Sequence, residues 1–399
     1  MDIICISSTS WDGTFVKSAV ELMKNMAQRH RVLFVDYNYT YKDLLMAVFK
    51  KSSAPVKRIL GIQKRLQKTD GANGGSLWLL VAPAVIPVNF IKKRGLYSFV
   101  QRINAGIIRR SILKATRKLQ FRKPVIINSW NPQIGVFLHQ KLGERLNVYY
   151  CFDEISTGPW TKEHGACMEK QFLQMADACV VSSSGLYQTK APLSKRCYTV
   201  QNGVNFDLFQ SGYFFPKAQP VVIGFIGMIA SRLDFTILEA IARHFPEAVL
   251  MLVGGVSFDG RSVDEEVARL KSYPNVQLTG IQPHEMLPVF LKRFHAGIIP
   301  NVKNAQTAAV YPMKINEYLA AGIPVVATDF ASLDDFAGFI TVARSTAEFI
   351  QGIEYELTTD NDQKRAARRE LARQNSWNNR ALAFEGIIEG LCTDQPTCL

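Results

Sequence analysis

The feature that most constrains this chain is a repeated alternation of short apolar runs with amphipathic helical stretches. "DIICISST" (2–9) has a buried-strand pattern, and "RVLFVDYN" (31–38) has another. Between them, "TFVKSAVELMKNMAQRH" (14–30) places Val16, Ala19, Val20, Met23 and Ala27 on one helical face. Strand patterns return at 124–130, 147–154, 177–184 and 197–204. The second half restarts the rhythm with "VVIGFIGMI" (221–229), "DFTILEAIARHFP" (234–246) and "AVLMLVGG" (248–255). Strands that alternate with helices form parallel sheets covered on both faces.

At 399 residues the chain exceeds one ordinary core and suits two domains. The expected division is 1–204, 205–376, and a final helix in 377–399 that crosses back to the first domain, with 205–220 as the linker. Ligands of such sheets bind beyond the carboxyl ends of the strands. The candidate positions are therefore Trp11–Gly13, Asp153, Gly227–Arg232, Gly254–Gly255 and the helix in "YPMKINEYLAAGIPVVATD" (311–329).

That helix has Pro312 at its expected first position and Gly322 just past its end. It also carries Lys314 in its first turn, where the helix dipole repels a cation by a few tenths of a kcal/mol. An anion bound at that end would reverse the sign, because backbone N–H groups and the ammonium would then act together. Glu317, three residues on, shares the lysine's face.

Several classes are disfavoured. Asp36 ends the second strand, as a ribose-binding acid would in a dinucleotide site, yet "STSWDGTF" holds no GxGxxG. No P-loop, HExxH or GxSxG occurs. The seven cysteines form no CxxC pair, which suits reduced thiols in the cytosol. No basic leader precedes the first strand, and the longest apolar run (77–88) is short and broken by Pro83 and Pro87, so neither a signal peptide nor a membrane span is expected.

The 311–329 segment resembles the nucleotide-sugar site of GT-B glycosyltransferases of bacterial polysaccharide assembly, of the form P-x-K-x-x-E-Y-L-A-A-G-x-P-V-V-x-T. "YYCFDEIS" (149–156) is similar to a segment of the xanthan glucuronosyltransferase family, and the teichuronic-acid type of transferase is a further likeness. The resemblance implies two Rossmann-like doubly wound parallel-sheet domains facing a cleft. It implies transfer of a hexosyl or glucuronosyl group from a nucleoside diphosphate, with uridine the expected base, to a lipid-linked saccharide. On this resemblance Glu317 holds the ribose, and Lys314 and Arg232 face the diphosphate. Gly227, Gly254 and Met313 complete the donor site, and Asp153 is the general base. Trp11, Asp12, Gly13 and Glu154 are expected on the acceptor side or the diphosphate loop.

Neither metal nor cofactor is expected, since cationic side chains and a helix end can neutralise the leaving group. The position eight residues before Glu317, where many retaining members have a second glutamate, is Ala309, which points toward inversion. Retention on the same fold, a nucleotide-sugar epimerase and a non-catalytic anion-binding protein stay as alternatives.

The net charge of +13 is concentrated early. Residues 42–123 hold 19 Lys/Arg against 2 Asp/Glu, a net of +17. Within them, 89–120 sets Leu96, Phe99, Val100, Ile103, Ile107 and Ile108 at helical spacing among lysines and arginines. Such a helix suits an anionic membrane, where each cation near the surface contributes about 1 kcal/mol. Nucleic acid is disfavoured because no stacking aromatics interleave with the charges and no binding motif occurs. The chain is therefore expected in the cytoplasm, peripheral on the inner face of the plasma membrane.

Overall fold

The computed structural model describes residues 1–13, 17–49, 52–71, 74–157, 161, 163–215, 219–258 and 261–393. The expectations for Val16, for part of the 205–220 stretch and for the end of 377–399 lie outside them. The chain divides into two compact units, Met1–Gln201 with the segment from Arg380 onward, and Asn202–Asn379.

The first unit holds eight strands: β1 (Asp2–Ser7), β2 (Arg31–Val35), β3 (Leu66–Asp70), β4 (Ser76–Leu80), β5 (Val125–Ser129), β6 (Leu146–Cys151), β7 (Ala178–Val181) and β8 (Cys197–Thr199). They run in the order β3-β4-β2-β1-β5-β6-β7-β8. All pairs are parallel except β3–β4. That exception has a simple cause: the five residues between Asp70 and Ser76 are too few for the crossover a parallel pair needs. The order reverses at β1/β5, which makes that pair the sheet's switch point.

Five helices of this unit matter for the site and its surroundings. They are α1 (Ser18–Met26), α2 (Tyr41–Val48), α3 (Arg94–Leu119), α4 (Gly165–Met175) and α5 (Ser184–Lys190). β5 and β6 are buried along their whole length, as a sheet covered on both faces requires.

The second unit holds β9 (Val222–Ile226), β10 (Val249–Val253), β11 (Val276–Leu278), β12 (Ala296–Ile299), β13 (Val325–Thr328) and β14 (Thr341–Ala343). The order is β11-β10-β9-β12-β13-β14, all parallel, with the reversal at β9/β12. Its helices include α6 (Phe235–His244), α7 (Met313–Ala320), α8 (Thr346–Thr359) and α9 (Asp362–Gln374).

The stretch expected as a linker is instead packed, since Phe209 is buried and Arg369 and Arg365 stack on Tyr213 and Phe215. The last helix, α10 (Trp377–Thr393), brings Glu385 to Arg29 in a bidentate pair (2.7 and 3.0 Å) and Phe384 to Tyr150.

Candidate functional site

In the second unit the candidate site forms at the β9/β12 switch point. Helix α7 is fixed there by Tyr318, whose hydroxyl accepts the Ile226 amide (2.8 Å) at the end of β9. A side chain at Gly297 would collide with that ring, at 2.7 Å, so the glycine lets the helix seat against β12. Gly227 follows directly, and a Cβ on Gly254 would stand 1.8 Å from the Gly227 carbonyl oxygen. With φ of +158°, Gly254 takes a backbone conformation that L side chains rarely adopt, and the two strand ends approach as only glycine allows.

Arg232 lies in the next turn and is exposed, with no ionic partner among the described residues. Asp234, its sequence neighbour of opposite charge, is engaged in capping α6 through the Thr236 and Ile237 amides. The turn is tied to the carboxyl end of β12, because the Asp234 amide donates to Pro300 and the Val302 amide donates to Arg232.

Pro312 proves to be the residue before the helix rather than its first position, and no side chain caps the first turn. Lys314 Nζ reaches both carboxylate oxygens of Glu317, at 3.1 and 3.3 Å. The Glu317 side chain is only 5% exposed while that of Lys314 is 33% exposed, so this is not a solvated surface pair. Burying a carboxylate is costly unless it is paired and hydrogen-bonded. Met313 packs against the core beneath. Gly227, Arg232 and Gly254 thus follow the carboxyl ends of β9 and β10, and Met313, Lys314 and Glu317 sit on the helix tied to the end of β9.

In the first unit the loop after β1 is held from inside. Buried Asp36 accepts the Trp11 amide (2.6 Å) and the Tyr37 amide (2.9 Å), and burial pushes its carboxyl above the usual range. The Trp11 ring packs edge-on against Phe34, and Lys17 donates to the Ser10 hydroxyl and to the Ser10 and Asp12 carbonyls. Trp11 is therefore a packing residue, and Gly13 makes room for the Lys17 ammonium, which a Cβ would meet at 2.7 Å. Asp36 is structural.

The carboxylates after β6 separate into two roles. Glu154 accepts two bonds from Lys190 Nζ (2.9 Å each) and one from the Ser156 hydroxyl (2.9 Å). Burial raises its carboxyl, but the bonds and charge of Lys190 outweigh that and hold it below the ordinary range. A carboxylate engaged in this way from within the unit does not suit the acceptor-side role expected for Glu154. Lys190 also meets Glu169 (2.7 Å), which accepts the Tyr149 hydroxyl (2.7 Å). Here burial prevails and raises the Glu169 carboxyl, because one ammonium serves two carboxylates and Glu169 is the deeper.

Asp153 remains half-buried, with one oxygen accepting the Glu154 amide (2.8 Å). Its carbonyl accepts the Trp130 indole N–H (2.8 Å). Trp130 follows β5 with φ of 51°, a left-handed conformation that is unusual for a bulky residue and marks functional positions. It also lines a cavity of about 800 Å³ at the β1/β5 switch point, together with Ser8, Asn38, Asn131, Gln133 and Gln101. Ser8 Oγ and Asn38 Oδ1 are buried there with no hydrogen-bond partner among the described residues, an arrangement that suits a hydroxyl-rich ligand. Sequence reasoning missed Trp130 and this amide-lined wall. In the sequence only the Asn-Pro pair of "NSWNP" marks a turn there.

Residues 220–359 match the family described as "Glycosyl transferases group 1". Over 225 residues the chain is 30% identical to a putative teichuronic acid biosynthesis glycosyltransferase, TuaH, of Bacillus subtilis. The alignment covers 53% of this chain and 56% of that protein, so the match spans about half the relative's length. The fold is similar to that of sucrose-phosphate synthase from Thermosynechococcus elongatus, with a TM-score of 0.72 at 15% identity over 99% of this chain and 100% of that one. It is also similar to Anabaena Alr3699/HepE in complex with UDP, with a TM-score of 0.63 at 13% identity over 98% and 99% of the two chains.

Proposed function

We propose that this chain, which carries a group 1 glycosyltransferase domain on a GT-B fold, moves a sugar from a nucleoside diphosphate to a lipid-linked saccharide with inversion. The observation that carries the reading is the buried Glu317 paired with Lys314 at the uncapped start of α7, beside the Gly227–Arg232 turn. In this reading the two ribose hydroxyls donate to Glu317. Lys314 turns from the carboxylate to the diphosphate, and Arg232 adds a second positive charge as the leaving group develops its own. The donor base is uridine.

Asp153 acts as general base on the acceptor hydroxyl, its backbone held by Trp130 and its neighbour Glu154 by Lys190. The acceptor saccharide occupies the amide-lined cavity of the first unit. The basic 42–123 region holds the protein at the inner face of the plasma membrane.

Incubation with nucleotide sugars, with and without a lipid-linked acceptor, tests the reaction: diphosphate release should require acceptor. Conversion of the donor alone would instead mark an isomerase. In the same assay Asp153→Asn should slow turnover by about 10²–10⁴-fold, the usual contribution of a general base, while nucleotide binding stays intact. Near-normal turnover would remove Asp153 from that role.

A further inference from the structure

We infer that the rim formed by α2, Phe90 and the first half of α3 inserts into an anionic lipid bilayer. The inference rests on the reading above that the acceptor is lipid-linked, and goes beyond it by assigning α2, Phe90 and the outer stripe of α3 as the inserting face.

Helix α2 has the sequence YKDLLMAV, and none of its eight residues is buried. Leu45 and Val48 are 60% and 73% exposed. Helix α3 carries two apolar stripes. One (Val100, Ile108, Ile112) is buried in the unit, whereas Leu96, Phe99 and Ile103 stand 41–61% exposed on the outer side. Phe90, in the loop before α3, is 73% exposed. Core packing accounts for the first stripe and leaves the second unexplained.

These side chains surround one feature. Residues at the start of α2 (Lys42, Asp43), Phe90 and Tyr97 of α3 all line the 800 Å³ cavity. Phe90 is thus exposed at the cavity itself, and the exposed apolar groups of α2 and α3 belong to the two helices whose other residues line it; we call these groups together its apolar ridge. Insertion of that ridge would set the mouth at headgroup depth, where a saccharide on a lipid anchor is presented.

Charge complementarity identifies the partner. Lys42, Lys92, Lys93, Arg94 and Arg102 are interleaved with the apolar residues and exposed. The one acid on α2, Asp43, is engaged in a capping box with Thr40. Cations beside protruding Leu, Val, Ile and Phe suit an anionic interface with hydrocarbon beneath it. A nucleic acid would use the cations and leave the aliphatic side chains in water.

The test is sedimentation of the full chain with vesicles of phosphatidylcholine, with and without phosphatidylglycerol, and no nucleotide sugar present. The wild type should bind the anionic vesicles and remain partly bound in about 1 M salt, where charges are screened within roughly 3 Å. Phe90→Ser/Phe99→Ser should weaken partitioning about tenfold or more and be released completely by that salt, and Leu45→Ser/Val48→Ser gives an independent second variant. Thermal stabilisation by UDP, which reads the donor site in the other unit, should be unchanged in both. Wild-type partitioning by both variants would overturn the inference, as would complete release of the wild type by salt or tighter binding to single-stranded nucleic acid than to vesicles. None of these outcomes depends on whether transfer occurs.

Discussion

Replacing Lys190 by methionine is expected to destabilise the first unit by about 3–5 kcal/mol at neutral pH, the usual result of removing one partner from a buried ion pair. The Lys190 side chain is 5% exposed, and its ammonium is the cation that both Glu154 and Glu169 bond. Without it the Glu169 carboxylate, buried beside β6, keeps only the neutral Tyr149 hydroxyl and Cys151 thiol as donors among the described residues, and Glu154 loses both of its bonds to the ammonium.

The sign of the pH dependence follows from the shifts. Burial opposes the charge on Lys190, but Glu169 and its neighbours raise its folded pKa, so its contribution is present below the unfolded value of 10.5 and is lost as pH rises through the folded one. The folded pKa of Glu154 is depressed, so its contribution is present above 4.5 and is lost as pH falls through the folded value. Glu169, raised, costs stability when ionised. The wild type therefore holds the pair from weakly acid to alkaline pH. In the variant both carboxyls bind protons more readily, so the loss of stability should be greatest from neutral to weakly alkaline pH, where the wild-type ammonium is still charged, and shrink toward acid. Urea melts near neutral pH and near the carboxyl range check this. An equal penalty at both, or less than about 1 kcal/mol, would show that the network is not under charge strain. Adding Glu154→Gln and Glu169→Gln should restore much of the loss.

The second large effect belongs to Lys314. Lys314→Ala should lower turnover by about 10²–10³-fold, the range seen when one preorganised charge-stabilising donor is removed. Glu317 would lose the one cation paired with it among the described residues while remaining 5% exposed, so a modest drop in melting temperature should accompany the loss. Lys314→Met with Glu317→Gln separates the two effects, because it removes the stranded charge yet leaves the diphosphate unneutralised. Steady-state kinetics with saturating donor provide the measurement. A variant that melts lower but turns over normally would make the pair structural.

The two sheets were legible because strands covered on both faces read as continuous apolar runs, as in "PVIINSW" and "AVLMLVGG". Helix α7 was legible from Pro312 and Gly322, with an error of one residue at its start. β3 was not, because LQKTD on a sheet edge carries no apolar run. Helical spacing found the apolar residues of α3, but period alone merged two stripes that the structure assigns to the interior and to the surface. Glu154 was misjudged because Lys190 lies 36 residues away, and only the fold brings an ammonium from the end of α5 to the end of β6. Trp130 escaped notice for the same reason: its role depends on a left-handed turn and on Asp153, 23 residues on.

The donor site requires that the second unit grip a pyrophosphate at the start of α7. Calorimetric titration of UDP, UMP and uridine into the wild-type chain measures that most directly. The expected result is tightest binding for UDP, a large step down for UMP as the second phosphate is lost, and weakening with salt. Equal affinity for all three, or no binding of any nucleoside diphosphate, would contradict it.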